Sequence, residues 1–288
     1  MFAKLTPARS VLAAVGLALA TLFSALAPAP ASAAIPYLQL NASEPKYAAI
    51  VIDANSGEVL YDKRADSPRY PASVTKVMTL YLTFEALGEG RLKLTDRVVM
   101  SPRAAAQAPT KIGLRPGDSM SVDEAIKAMT VKSANDVAVA MAERLAGSES
   151  RFAALMTLRG QELGMRNSRF VNASGLPDSR QISTARDLAI LSRAIMRDFP
   201  QYYSYFSVRG FTFRGNYIKG HNRLLDSMDG FDGLKTGYTN ASGFNIAISG
   251  VRAFWTLMSW RLTLALWRRV STIAPIIATS RIMPDSWK

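Results

Sequence analysis

Strand-like alternation at the two ends of the chain, with helical periodicity between them, restricts the fold more than any other feature. Tyr47-Ala-Ala-Ile-Val-Ile-Asp53 and Glu58-Val-Leu-Tyr61 flank Asn55-Ser56-Gly57 and read as two strands joined by a hairpin. Alternation returns around Phe206 to Phe213 and at Phe244-Asn-Ile-Ala-Ile248, with Lys235-Thr236-Gly237 on a strand that leads into a tight Tyr238-Thr-Asn turn. From 71 to about 200 the period is helical. Pro71 precedes a helix from Val74 to Leu87 that stops at Gly88 and Gly90. Ser121 with Glu124 forms a capping box ahead of a helix carrying Ala125, Ile126 and Met129. Further helices are predicted from about Asp136 to Leu145 before Gly147, at 149 to 163, and from Thr184 to Met196 before Pro200. Termini that supply strands and a middle that supplies helices imply an α+β fold, an antiparallel sheet from both chain ends with an inserted all-helical lobe. The cleft between lobes is the natural site.

Composition removes several chemistries. The 288 residues contain no cysteine, which excludes disulfides, thiolate catalysis and zinc-thiolate sites. The single histidine, His221, lies in the polar run Lys219-Gly-His221-Asn222-Arg223 and reads as structural or solvated, which weakens any Ser-His-Asp scheme. The first 33 residues resemble an export signal: Lys4 and Arg9, an apolar run from Val11 to Ala27, then Ala31-Ser32-Ala33, with cleavage expected before Ala34. An uncleaved anchor is the alternative, though the run is short for a membrane span. The net charge of +13 is spread unevenly; the body from 34 to 251 has 27 basic and 21 acidic residues, a net of +6. That excess suits carboxylate substrates or an anionic envelope, and the basic residues are not clustered with aromatics, so no nucleic-acid partner is expected.

Chemistry resides in three short motifs in one order, Ser73-Val-Thr-Lys76, Ser133-Ala-Asn135 and Lys235-Thr236-Gly237, separated by 60 and 102 residues. On a helix, positions i and i+3 share a face, so Lys76 can reach the Ser73 hydroxyl and take its proton if burial or a second positive charge depresses its pKa. Lys235 is that second charge. The reading is an acyl-transfer site with Ser73 as nucleophile and Lys76 as base. Lys235 and Thr236 bind a substrate carboxylate, Ser133 relays a proton to the leaving amine, and Asn135 positions the substrate amide. Gly237 allows backbone and substrate to approach closely. Each residue alone also has an ordinary role: Ser73 starts a helix, Ser133 or Asn135 caps one, Lys76 and Lys235 are solvated charges. No metal or cofactor is implied.

Longer stretches around these motifs, Tyr70-Pro-Ala-Ser-Val-Thr-Lys-Val-Met-Thr79, Glu162-Leu-Gly-Met-Arg-Asn-Ser-Arg-Phe-Val-Asn-Ala-Ser-Gly-Leu-Pro-Asp178 and Gly233-Leu-Lys-Thr-Gly-Tyr-Thr-Asn240, resemble the serine D-alanyl-D-alanine carboxypeptidases among the low-molecular-mass penicillin-binding proteins. The resemblance runs from about Tyr47 to Val251. It implies a β-lactamase/transpeptidase-like fold and removal of the terminal D-alanine from peptidoglycan stem pentapeptides through an acyl-enzyme. It also implies acylation by β-lactam antibiotics, and an exported location in the periplasm or envelope of a bacterium. It further implies backbone N–H groups of Ser73 and Tyr238 as the oxyanion donors, and Asn172 and Gly175 as loop scaffolding beside the cleft.

Two other readings compete. A class A β-lactamase shares the nucleophile and both lysines but carries Ser-Asp-Asn and a deacylating glutamate on a loop, whereas Glu162 here falls in a helical stretch. A catalytically impaired envelope scaffold is the other, raised by the tail. After Val251 the resemblance stops, all four tryptophans lie between 255 and 287, and no glycine follows Gly250. The domain reading is therefore signal at 1–33, catalytic domain at 34–251, and an atypical basic tail at 252–288 that suggests a frame change or truncation. Peripheral membrane contact through that Trp-rich tail is the functional alternative. Its Phe254 to Trp260 stretch places bulky apolar groups on both faces of any strand it forms.

Overall fold

The structure, a computed structural model, describes residues 46–227, 230–252 and 270–277. It is an α+β molecule with a five-stranded antiparallel sheet and a helical lobe, as the distribution of periods predicts. Strand β1 (Ala48–Asp53) and β2 (Val59–Lys63) form the expected hairpin, in which the Asp53 carboxylate accepts the Asn55 and Ser56 amides and Gly57 takes positive φ. The continuous apolar text of β1 is buried on both faces, while β2 is an exposed edge.

The chain then enters a 3-10 turn (Ala72–Thr75) that runs into helix α1 (Lys76–Gly88). Helix α1 is buried nearly all round: Met78, Leu80 and Phe84 have no exposed surface, and Thr79 and Thr83 turn their hydroxyls onto backbone carbonyls. A helix without a polar face belongs at the centre of the molecule, and Phe84 alone contributes about 1.5–3 kcal/mol of burial. Rings of Phe199, Tyr202, Tyr205 and Phe206 close around it.

Around α1 lie β3 (Arg97–Val99) paired with β4 (Ser119–Ser121), α2 (Pro102–Ala105) and α3 (Val122–Lys127). They are followed by α4 (Asn135–Ala146), α5 (Glu149–Leu163) and α6 (Ala185–Asp198). The capping box at Ser121 and Glu124 forms as expected, Gly147 closes α4 with positive φ, and Thr184 caps α6. Helix α6 packs on the sheet.

Two expectations need correction. Phe206 to Phe213 is not one alternating strand: Pro200 opens a 3-10 stretch to Ser207, and only β5 (Gly210–Phe213) is extended. It pairs with β6 (Asn216–Lys219) in a separate two-stranded sheet around the positive-φ pair Arg214 and Gly215. A short helix, α7 (Leu224–Ser227), follows. Second, Tyr238 and Thr239 are not a turn. Strand β7 (Phe231–Thr239) pairs with β8 (Gly243–Arg252) as far as Thr239 opposite Gly243, so the turn begins at Asn240. The strand beside Asn245 is β9 (Val270–Ile277), whose backbone lies between β1 and β8 to give the order β2-β1-β9-β8-β7. The Phe254 to Trp260 stretch lies outside the described residues, as does the expected export signal.

Candidate active site

The three motifs meet where the start of α1 faces the edge strand β7. Ser73 sits in the 3-10 turn, one residue after Ala72, which has φ of +48°. Lys76, the first residue of α1, has no exposed surface. Its Nζ lies 3.1 Å from Ser73 Oγ and donates to Asn135 Oδ1 at 2.7 Å and to the Ser174 carbonyl at 2.6 Å. Burial holds the Lys76 pKa well below the ordinary lysine value, the charge of Lys235 depresses it further, and Asp136 opposes both. Lys235 on β7 is also buried; its Nζ donates to the Thr236 carbonyl at 3.0 Å, and burial pushes its pKa down to about 7.

Ser133 closes a π-helical turn (Ala128–Lys132) in left-handed conformation, with φ of 60°, ahead of α4. It does not cap that helix: the residue before Asn135 is Ala134, with no side-chain cap. Its hydroxyl is buried and has no partner among the described residues, so it is available to a ligand. Asn135 uses its Oδ1 on Lys76 and its Nδ2 on the Ala108 carbonyl. Beside it, the buried Asp136 carboxylate accepts the amides of Ile112, Gly113 and Val137, which fixes the loop bearing Pro109 and Thr110 over the cleft.

Six of the eight expected residues, Ser73, Ser133, Asn135, Thr236, Gly237 and Tyr238, line one cavity of about 350 Å³; Lys76 and Lys235 are buried behind it. A side chain on Gly237 would put Cβ 2.8 Å from Ser73 N, so β7 and the nucleophile turn are in direct apposition. Tyr238 is exposed and rests on Phe244. His221 lines the same cavity but is exposed and donates only its backbone amide, to Val131. The partial burial of its ring lowers its pKa, and the charges of Lys235 and Lys132 add to that.

Several contributors were not visible in the motifs. The Ser174 carbonyl is presented to Lys76 by a loop in which Asn172 Oδ1 accepts the Gly175 amide at 2.8 Å and Gln181 Oε1 accepts the amides of Val171 and Asn172. Thr79 Oγ1 donates to the Ala173 carbonyl, and Glu149, paired with Arg103, accepts the Ala173 amide. Gly175 has φ of +86° and leaves no room for a side chain against Ala72. Asn172 and Gly175 are thus structural, with a direct line to the lysine. Arg223 brings another cation to the cavity wall. Glu162 lies on α5, paired with Arg159, and is not among the residues lining the cleft. Among the described residues no group of His, Asp and Glu side chains is placed to hold a metal ion.

Against this geometry, the model of the peptidase S11 family, D-alanyl-D-alanine carboxypeptidase, matches residues 38–259. The chain belongs to that family. It is 38% identical over 217 residues to D-alanyl-D-alanine carboxypeptidase DacA of Escherichia coli strain K12, covering 73% of this chain and 54% of that one. It is 36% identical over 212 residues to DacF of Bacillus subtilis strain 168, covering 70% and 53%. The chain therefore spans about half the length of these relatives. Among solved structures, penicillin-binding protein 5 from Haemophilus influenzae superposes with a TM-score of 0.72 at 32% identity, over 81% of this chain and 65% of that one. Penicillin-binding protein D2 from Listeria monocytogenes in its cefotaxime-bound form gives 0.68 at 28% identity, over 81% and 90%. The fold of this S11 family member is accordingly transpeptidase-like, as in the solved structures on which it superposes.

Proposed function

We propose that the chain is a serine D-alanyl-D-alanine carboxypeptidase that removes the terminal D-alanine of peptidoglycan stem peptides and is acylated by β-lactams. The observation that carries this is the environment of Lys76. Three oxygens surround its Nζ, and two of them, Asn135 Oδ1 and the Ser174 carbonyl, cannot donate a hydrogen bond. A neutral amine gives its two N–H groups to those oxygens and turns its lone pair to Ser73 Oγ, 3.1 Å away. The hydroxyl then donates to the amine, the arrangement a base needs.

In this reading Ser73 Oγ attacks the penultimate carbonyl and Lys76 takes the proton. The oxyanion forms at the backbone amides of Ser73 and Tyr238. Collapse expels D-alanine, whose nitrogen is protonated through Ser133, and water then attacks the acyl-enzyme. Lys235, Thr236 and Arg223 receive the substrate carboxylate. Its negative charge favours protonated Lys235, and that charge in turn keeps Lys76 neutral, so binding prepares the base. Asn135 orients the substrate amide. We also read residues 1–33 as an export signal, with the reaction in the bacterial envelope, and residues 252–288 as a tail atypical in sequence that nonetheless supplies strand β9; no helix among the described residues is long and apolar enough to cross a membrane.

The test is to label the purified chain with a fluorescent penicillin, locate the adduct by peptide mapping, and measure D-alanine release from a peptide ending in D-alanyl-D-alanine. An adduct on Ser73 together with release supports the reading. Absence of an adduct on folded protein refutes it.

A further inference from the structure

Away from the cleft, the β5–β6 hairpin turns one face to the core and leaves the other open. Phe211 and Phe213 are buried and Ile218 packs beside them, so the residues that alternate with these, Gly210, Thr212, Tyr217 and Lys219, share the outer face. Tyr217 is 67% exposed. Its ring leans diagonally across the ladder onto Gly210, where an added Cβ would lie 2.5 Å from Tyr217 Cζ. The missing side chain lets one face of the ring rest on the strand while the other faces solvent. Residues 209–219 hold Arg209, Arg214 and Lys219 and no acidic residue. Arg214, in the turn, meets Asp118 at 3.6 Å; Lys219, at the opposite end, has no ion-pair partner among the described residues. We propose that this face binds a glycan strand. One sugar ring of an N-acetylated amino-sugar polymer stacks on Tyr217, and Arg214 and Lys219 hold carboxylates on the sugars to either side. The inference rests on the carboxypeptidase reading above and adds to it a site, outside the cleft, that holds the enzyme on the wall polymer.

The chemistry of the face selects this ligand. A sugar ring presents a patch of C–H groups with hydroxyls at its rim, which calls for an open aromatic face with polar groups beside it. Thr212, directly opposite Tyr217 in the ladder, and the phenol hydroxyl supply the polar groups. An anionic membrane would use the same cations but needs apolar groups to insert, and Phe211, Phe213 and Ile218 point the other way. An aromatic ring over a strand glycine stabilises a hairpin in its own right. That task needs one ring face and leaves the second for a ligand. Position adds a further argument. Lys219 is two residues before His221, which lines the catalytic cavity, and the Gly220 amide is tied to the Arg209 carbonyl at 2.7 Å. The hairpin therefore adjoins the carboxylate end of the cleft, where Arg223 and Lys235 lie. A stem peptide brings its free terminus to that end, the point farthest from its own glycan, so the strand on the hairpin is a neighbouring one. The site keeps the enzyme on the meshwork and takes no part in hydrolysis of a soluble peptide.

The experiment titrates penicillin-acylated protein, in a calorimeter, with soluble strands of alternating N-acetylglucosamine and N-acetylmuramic acid from which an amidase has removed the stem peptides. The cleft is then blocked and no peptide is present. Wild-type protein should bind these strands more tightly than an N-acetylglucosamine oligomer of the same length, which lacks the carboxylates, and the difference should shrink as salt is added. Tyr217→Phe should bind like wild type. Tyr217→Leu, which still covers Gly210, should melt like wild type yet bind about tenfold more weakly. Arg214→Gln combined with Lys219→Gln should remove the preference for the carboxylated strand. With the cleft free, Tyr217→Leu should release D-alanine from Nα,Nε-diacetyl-L-lysyl-D-alanyl-D-alanine at the wild-type rate and from intact peptidoglycan more slowly. No binding by folded wild type, undiminished binding by Tyr217→Leu, or displacement of the glycan by phosphatidylglycerol vesicles overturns the proposal. Penicillin labelling and peptide hydrolysis without glycan binding overturn this proposal and spare the parent reading. Loss of labelling and hydrolysis in folded protein sinks the parent reading, and this one with it.

Discussion

Gly175→Ala tests whether the loop behind the nucleophile is a positioning device. The glycine has φ of +86°, a conformation that costs an L-residue about 1 kcal/mol, and its missing side chain faces the Ala72 carbonyl and Ser73 N, the latter at 2.9 Å from an added Cβ. The obstacle is backbone on both sides, not the end of a flexible side chain. Overpacking of that kind costs about 1–3 kcal/mol, so the variant should lose about 2–4 kcal/mol in all. In a domain of this size that corresponds to a melting temperature lowered by about 5–15 °C. Relief must come from separating the Ser174–Gly175 loop and the Ala72–Ser73 turn, which moves both the Ser174 carbonyl that holds Lys76 and the hydroxyl that Lys76 faces. A displacement near 1 Å costs about 100-fold in rate. Thermal melting and the second-order rate of fluorescent penicillin acylation, measured on one preparation below its transition, read both effects. A variant that melts within about 1 °C of wild type and acylates normally would show that this packing does not position the nucleophile.

Other substitutions separate neighbouring roles. Gly237→Ala carries no positive-φ strain but sets Cβ 2.8 Å from Ser73 N, so acylation should fall about 100-fold with a smaller melting shift than Gly175→Ala. Lys76→Ala should abolish the penicillin adduct, whereas His221→Ala should retain it; equal losses in the two variants would refute a lysine base. The pH at which acylation rises reports deprotonation of Lys76. Asp136→Asn removes the charge that favours the ammonium and should move that rise to lower pH, while Lys235→Ala removes the charge that opposes it and should move the rise to higher pH. Shifts of the same sign in a pH–rate series would contradict the electrostatic account. The β-lactam adduct should persist in intact-mass time courses, because Glu162 is ion-paired on α5 and not among the residues lining the cleft; rapid drug turnover would favour the lactamase reading.

What could be read from residue order and what could not divide along a physical line. Ser73 and Lys76 were legible because their relation is local, one helical step apart, and Ser121 with Glu124 for the same reason. The motif order placed Ser133, Asn135 and Lys235 near them without giving geometry. Tyr238 reads as part of a turn because Thr and Asn after a Lys-Thr-Gly motif resemble turn text, while the ladder to β8 continues through Thr239. Phe206 to Phe213 misled because apolar residues that pack on α1 from a 3-10 stretch leave the same spacing as a strand. Strand β9 was illegible because its place is set by backbone pairing to β1 and β8, separated from it by more than 200 residues in one case.

The Ser174 carbonyl is the most instructive omission. A main-chain oxygen has no residue identity, so no motif can contain it, yet it takes one of the two hydrogens that neutral Lys76 can give. Its position depends on Asn172, which the resemblance marks as loop scaffolding, and on Gln181, Thr79 and Glu149, which read as ordinary polar text. Scaffold and mechanism are therefore not separable here by residue type. They are separable by response: a group that only supports the loop should change melting and rate together. A group that sets the charge on Lys76 should in addition move the pH profile. Asn172→Ala removes the acceptor for the Gly175 amide without touching any charge near Lys76, so it belongs to the first class unless the Ser174 carbonyl withdraws. If it does withdraw, one N–H of the amine loses its acceptor and the orientation of the lone pair is released. Acylation should then fall at every pH, with the midpoint of its rise unchanged.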